Sequence, residues 1–282
     1  MNYFDLHCDT ATKWQKQNLT LQNNSLAVSS LKGEVIDNWT QTFAIFINDD
    51  CKKTWQEYLN TLQKIKIVLK NKPNNLTALL SVEGGALLEE NIERLDQLKS
   101  DGIKFLTLTW NGENSIAGGC KTNKGLTTFG KTVIEKMNRL KIGCDLSHIN
   151  EKSFYSAVEI ADFPLATHSN CYKLCEHPRN LKDEQLKLIA QKGGIIGLCF
   201  YPKFLNDDIF DSIYQNIYCL CEMGLEKHIA IGSDFDGGVM SNKLDGIDKI
   251  PSLYKFLKDK KIPKTVLNGI FYKNAENYVA KL

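Results

Sequence analysis

No apolar stretch in this sequence approaches the ~18 consecutive residues that a helix needs to cross a bilayer. Charge of one sign is missing too: 35 Lys and Arg stand against 33 Asp and Glu, with no basic run and no acidic tail. Nucleic acid and anionic membrane therefore have nothing to bind, and neither is expected as a partner. Linkers, internal repeats and low-complexity segments are also absent, so residues 1–282 read as one domain. The nine cysteines lack a framework spacing. Cys171 and Cys175 stand four apart and Cys219 and Cys221 two apart, and neither pair is a CxxC. Free thiols in a reducing compartment are the expectation. No charged segment followed by an apolar signal core precedes the first apolar run, which begins at Tyr3. Together these absences predict a cytoplasmic, soluble protein.

What is present is a rhythm. Short apolar runs fall at 3–7, 42–47, 77–82, 103–109, 142–147, 164–168, 195–200 and 229–233. Between them, segments 55–69, 87–98, 128–140, 183–191 and 209–223 repeat apolar residues at three- and four-residue spacing, as helices with one buried face do. Alternation of this kind predicts a parallel sheet buried on both sides. Eight units suit an α/β fold closed into a (β/α)8 TIM-like barrel, whose usual length is about 250 residues. An open doubly wound sheet is the alternative, because residues 10–40 are polar and hold at best a short helix. Two last helices, 252–258 and 275–281, are expected to complete the outer ring.

The chemistry lies in what ends each run. Run one ends in Asp5-Leu6-His7-Cys8-Asp9, and alternation puts His7 and Asp9 on one side with Cys8 on the other. Run three ends at Glu83, run five at His148, run six at His168, and run eight in Gly232-Ser233-Asp234-Phe235-Asp236. In a barrel these C-terminal ends share one mouth. His228 begins run eight and belongs at the far end. Singly, a strand-end His is more often a structural hydrogen-bonder, and a strand-end carboxylate often caps the next helix. Together, three imidazoles and several carboxylates in one mouth would repel or desolvate one another unless a cation held them. Nitrogen and oxygen donors without thiolate suit zinc, or another divalent transition metal. Five candidates exceed the three protein ligands of one catalytic zinc, so two ions sharing a bridging carboxylate, roughly 3.5–4 Å apart, fit better. Glu83 is the natural bridge, with His7 and Asp9 on one ion and His148 and His168 on the other. Asp234 is placed to shuttle a proton, and Asp236 could compete for that task.

These motifs resemble the membrane dipeptidase family, peptidase family M19, in its bacterial form. The match runs in family order through Asp5-x-His7-x-Asp9, Ser81-Val82-Glu83-Gly84-Gly85, Phe105-Leu106-Thr107-Leu108-Thr109, Asp145-Leu146-Ser147-His148, Thr167-His168-Ser169-Asn170, Pro178-Arg179-Asn180-Leu181 and Gly232-Ser233-Asp234-Phe235-Asp236-Gly237. The resemblance implies a binuclear zinc barrel that hydrolyses dipeptides, some with a D-residue at the C-terminal position, by a metal-bridging hydroxide. It implies that His7, Asp9 and Glu83 bind one zinc, and Glu83, His148 and His168 the other. Asp234 matches the acid/base, Arg179 the residue that takes the substrate carboxylate, and Tyr201 a substrate-contacting tyrosine. For Arg179 a salt bridge at the start of a helix is the structural alternative. Trp110 stands where vertebrate members carry a His that assists the substrate carbonyl, and its indole N–H cannot replace a protonatable imidazole. Asn111 could supply a donor instead. A homodimer is a further implication of the resemblance.

Two other readings use the same residues. A cyclic amidase or deaminase on a metal-dependent barrel usually opens with His-x-His, and often bridges its metals with a modified lysine after strand four. Here the chain opens with His-x-Asp and has Trp110 at that position. A silent small-molecule-binding barrel would have no use for Asp234. Gly193-Gly194-Ile195-Ile196-Gly197 is not a dinucleotide motif, because its glycines precede a run instead of following one, and a helix stop is expected there.

Overall fold

The eight apolar runs pair edge to edge in chain order, and the eighth closes on the first. In the computed structural model, which describes residues 1–22, 24–206 and 208–282, the strands are β1 (Asn2–Cys8), β2 (Asn38–Phe46), β3 (Leu76–Glu83), β4 (Ile103–Thr107), β5 (Gly143–Asp145), β6 (Pro164–Ala166), β7 (Ile195–Leu198) and β8 (Ile229–Ile231). All neighbours are parallel. The pairing Asp5↔Ile231 closes the ring and excludes the open sheet. This is the (β/α)8 barrel, with helices packed outside it.

Those helices are α1 (Thr10–Gln17) and α2 (Ser30–Gly33), both in the first connection, then α3 (Thr54–Val68), α4 (Arg94–Ser100), α5 (Thr128–Leu140), α6 (Glu151–Ile160), α7 (Asp183–Gln191), α8 (Ile209–Glu222), α9 (Ile250–Asp259), α10 (Lys264–Asn268) and α11 (Asn274–Val279). The apolar spacing over 87–98 overstates its helix. Glu89 and Glu90 take left-handed backbone, φ 45 and 58, which a right-handed helix does not contain. The Asn91 side chain then accepts the Glu93 N–H at 3.0 Å, just ahead of α4. The glycines at 193–194 do stop a helix: Gly193 has φ 69 and Gly194 donates to the Ile189 carbonyl.

Two apolar clusters hold the barrel. The larger lies between strands and helices. The smaller includes Phe4, Leu6, Phe105, Leu165, Ile195 and Ala230, and takes in Ala275 and Tyr278 of α11. Tyr278 also donates its hydroxyl to the Phe163 carbonyl, just before β6, at 2.8 Å. So α11 plugs the N-terminal mouth of the barrel, where the sequence pattern had placed it in the outer ring. His228 lies at that same end, its Nδ1 2.7 Å from the Gly194 carbonyl.

At the other mouth the strands stop early. β5, β6 and β8 are only three residues each, so His148, His168 and Asp234 sit in the loops just beyond them. β1 runs in step with β2 from Asn2↔Asn38 to Asp5↔Gln41 and resumes at Cys8↔Phe43, one residue out of step. This bulge breaks the alternation. Leu6 joins the smaller cluster, yet His7, the next residue, turns to the mouth.

Candidate metal centre

Five strand ends converge there. His7 Nε2 lies 3.6 Å from Asp9 Oδ2, 3.5 Å from Glu83 Oε2 and 4.0 Å from Asp234 Oδ1. Across the mouth, His148 Nε2 lies 2.8 Å and His168 Nε2 3.7 Å from the other Glu83 oxygen, Oε1. One carboxylate thus divides its two oxygens between two groups of donors. All six side chains are buried, the least so being Asp234 at 9% exposure. His148 and Asp234 reach their places through left-handed backbone, φ 68 and 61, at a cost of about 1–2 kcal/mol per residue.

The hydrogen-bond pattern assigns the ring protons. Thr167 Oγ1 lies 2.7 Å from Asp145 Oδ2 and 2.8 Å from His168 Nδ1. An ionised carboxylate only accepts, so the single Thr167 proton goes to Asp145, and His168 Nδ1 must donate to the hydroxyl. His148 Nδ1 meets Asn111 Oδ1 at 2.9 Å, an oxygen that also accepts from the Cys120 thiol at 3.1 Å. With both Nδ1 atoms protonated, both Nε2 atoms present lone pairs. They face each other at 2.9 Å.

Beneath each half lies a buried carboxylate that the motif reading quoted without giving it a role. Asp5 accepts from the Ser233 N–H and hydroxyl, at 2.8 and 2.6 Å, and from Gln41 Nε2 at 2.9 Å. It ties β1 to β2 and to the loop after β8. Asp145 accepts from the Ser147 and Thr167 N–H groups and from the Thr107 and Thr167 hydroxyls. Each lies two or three residues before a site histidine, so the histidine-bearing loops are pinned by the strands that deliver them.

The electrostatics show strain that a cation would relieve. Burial, reinforced by the charge of Glu83, pushes the Asp9 carboxyl up to about 6. Burial and the charge of Asp9 push Asp234 to about 8. His148 falls to about 4, through burial and the charge of Arg179, and His168 is held well below the usual imidazole range for the same first reason. Neutral imidazoles are the form that binds metal. Two buried donor atoms, His7 Nε2 and Asp9 Oδ1, have no hydrogen-bond partner among the described residues. Three overlapping trios draw their donor atoms to within 4.8 Å of one another: His7, Asp9 and Glu83; Glu83, His148 and His168; and His7, His168 and Asp234. Facing lone pairs, unpartnered donors and crowded carboxyls all fit divalent cations.

Around this floor opens a cavity of about 350 Å³, walled by Phe46, Trp110, Tyr201 and Phe204 and by the polar residues Asp9, Glu83, Asn111, His148 and Asp234. Tyr201, the expected substrate-contacting residue, lines this cavity with its ring edge-on to Phe204 at 5.0 Å. Asn111 spends its oxygen on His148, and its Nδ2 makes no hydrogen bond among the described residues. Trp110 packs edge-on to Phe46 at 5.2 Å. Asp236 also lines the cavity, and its oxygens accept from the Ala27 N–H at 3.0 Å and the Thr10 hydroxyl at 2.5 Å. Arg179 is 4% exposed and donates through Nη2 to the His168 carbonyl at 3.1 Å. Its Nε has no partner, and no carboxylate lies within 4 Å among the described residues, so the helix-start salt bridge is not formed.

Comparison with known proteins agrees with this geometry. The family model described as membrane dipeptidase, peptidase family M19, matches residues 1–277. A protein from Klebsiella pneumoniae described as uncharacterized, in the pqqA 5′ region, is 33% identical over 215 residues, covering 71% of this chain and 79% of that one. An uncharacterized dipeptidase of Schizosaccharomyces pombe is 29% identical over 212 residues, covering 71% of this chain. The match spans about half of that protein, 52% of its length. Among solved structures, a metallopeptidase from Rhodobacter sphaeroides, liganded with a phosphinate mimic of L-Ala-D-Ala, superposes with a TM-score of 0.88 at 19% identity, covering 100% of this chain and 99% of that one.

Proposed function

The chain belongs to the membrane dipeptidase family, peptidase family M19, and is a metal-dependent dipeptidase; from that premise we propose that it works with two zinc ions bridged by Glu83. His7, Asp9 and Glu83 would hold one ion, and Glu83, His148 and His168 the other. The observation that carries this reading is the division of Glu83, with Oε2 toward His7 and Oε1 toward His148 and His168. When bound, such a pair supplies Lewis acidity for the scissile carbonyl and for the attacking water.

The chain's own residues do the rest. Asp234 takes the proton that the attacking water gives up and returns it to the departing amine nitrogen, so the amide N–C bond breaks to a carboxylate and an amine. Its nearness to His7 and its burial at the edge of the donor cluster support that role. Arg179, buried and without a carboxylate partner, would bind the substrate's terminal carboxylate through its guanidinium fork. Tyr201 would bound the substrate, and Asn111, besides orienting His148, has an amide N–H free to meet a carbonyl oxygen. The cavity is of dipeptide size, and the ligand of the Rhodobacter protein supports including dipeptides with a C-terminal D-residue.

Dialysis against chelator tests the reading. Hydrolysis of L-L and L-D dipeptides is expected to fall to background and to return when zinc is restored. Hydrolysis that persists in metal-free protein would overturn the proposal.

A further inference from the structure

The cavity carries two cations that the proposed reaction does not use. Lys13 and Lys16 lie one turn apart on α1, and both line the cavity. Neither has a carboxylate within 4 Å among the described residues, whereas eight other lysines do. The Lys16 ammonium stands 5.9 Å above the ring of Phe46, itself part of the wall. Asp9 and Asp236 line the same cavity, and both have other partners. Asp236 is held by Ala27 and Thr10, and Asp9 belongs to the metal centre.

Topology says which end of a substrate these lysines meet. Arg179 follows β6 and lines a neighbouring cavity of about 290 Å³ that shares His148 with the first. α1 follows β1, three strands further round the closed ring. A substrate whose terminal carboxylate lies at Arg179 therefore extends its other residue toward Phe46 and α1. We propose that Lys13 and Lys16 select dipeptides whose N-terminal residue carries a side-chain carboxylate, Asp or Glu. This rests on the dipeptidase reading above and on Arg179 as the anchor of the terminal carboxylate. The selectivity is electrostatic and at the rim, so it is partly screened and sensitive to salt.

The test is kcat/KM of the metal-loaded protein on Glu-Ala, Asp-Ala, Ala-Ala, Leu-Ala and Lys-Ala, at low and at 0.5 M salt. The expected ratio of Glu-Ala to Lys-Ala is roughly tenfold or more at low salt, the size of two partly screened ion pairs acting together, and it shrinks at high salt. In the double variant K13E/K16E the ranking reverses. Calorimetric binding of free glutamate against free lysine to the loaded protein gives the same order without turnover. A wild-type ratio near one, or a ratio that survives the charge reversal, overturns the inference while leaving the dipeptidase intact. Failure to cleave any member of the panel overturns the dipeptidase reading itself, and this inference with it.

Discussion

Glu83 is the residue on which the site turns. As the last residue of β3 it reaches both groups of donors, which a residue one step along the strand would not. The imidazoles beside it are prepared by quieter partners. The His168–Thr167–Asp145 chain fixes which ring nitrogen carries the proton, and such partners typically contribute 10–100-fold in metal affinity. Thr167→Val is accordingly expected to weaken metal binding by about that factor, read by competition with a chromophoric chelator. An unchanged affinity would show that the tautomer is set some other way. Asp234→Asn keeps the shape and loses the proton carrier. A fall in kcat of at least ~100-fold is expected, with metal content unchanged, and retained turnover would remove Asp234 from the mechanism. The site residues were legible in the sequence because each is a metal-type side chain at the end of an apolar run. Their orienting partners were less so. Thr167 and Asp145 sit in quoted motifs, but a hydroxyl or carboxylate says nothing of its partner until the strands are side by side. Asn111 was expected as a substrate donor, and its oxygen proves to serve His148.

At the scale of elements, three of the five strands that carry the chemistry, β5, β6 and β8, are the shortest in the barrel. Three-residue strands suffice because their ends are tied by Asp5 and Asp145 to neighbouring strands and loops, not by further ladder bonds. The apolar runs placed all eight strands, and 128–140 and 183–191 matched their helices end to end, since a one-sided apolar face leaves a clear period. The period failed where backbone conformation decides. It ran through the left-handed Glu89 and Glu90, and it could not show the bulge that turns His7 to the mouth. It also left α6 unmarked and treated α11 as one more outer helix, although Ala275 and Tyr278 seal the barrel floor. Tyr278→Ala is expected to cost about 3–5 kcal/mol of unfolding free energy, as for other large buried aromatics, measured by urea denaturation. A loss below about 1 kcal/mol would mean that α11 is a passive appendage.

For the whole molecule, closure of the ring makes the centre possible. His7 and Asp234 come from opposite ends of the strand sequence, and the β1–β8 seam sets them side by side, with the Asp234 N–H on the His7 carbonyl at 3.1 Å. An open sheet would leave them on separate edges. The fold thereby turns five weak strand-end signals into one buried, cation-seeking cluster. The most direct measurement is elemental analysis of metal per chain, on protein purified without chelator, for the wild type and for Glu83→Ala. Two ions sharing one carboxylate require close to two per chain in the wild type and fewer than one in the variant. One ion or none in the wild type, even after incubation with zinc, or two retained without Glu83, would contradict the bridged centre.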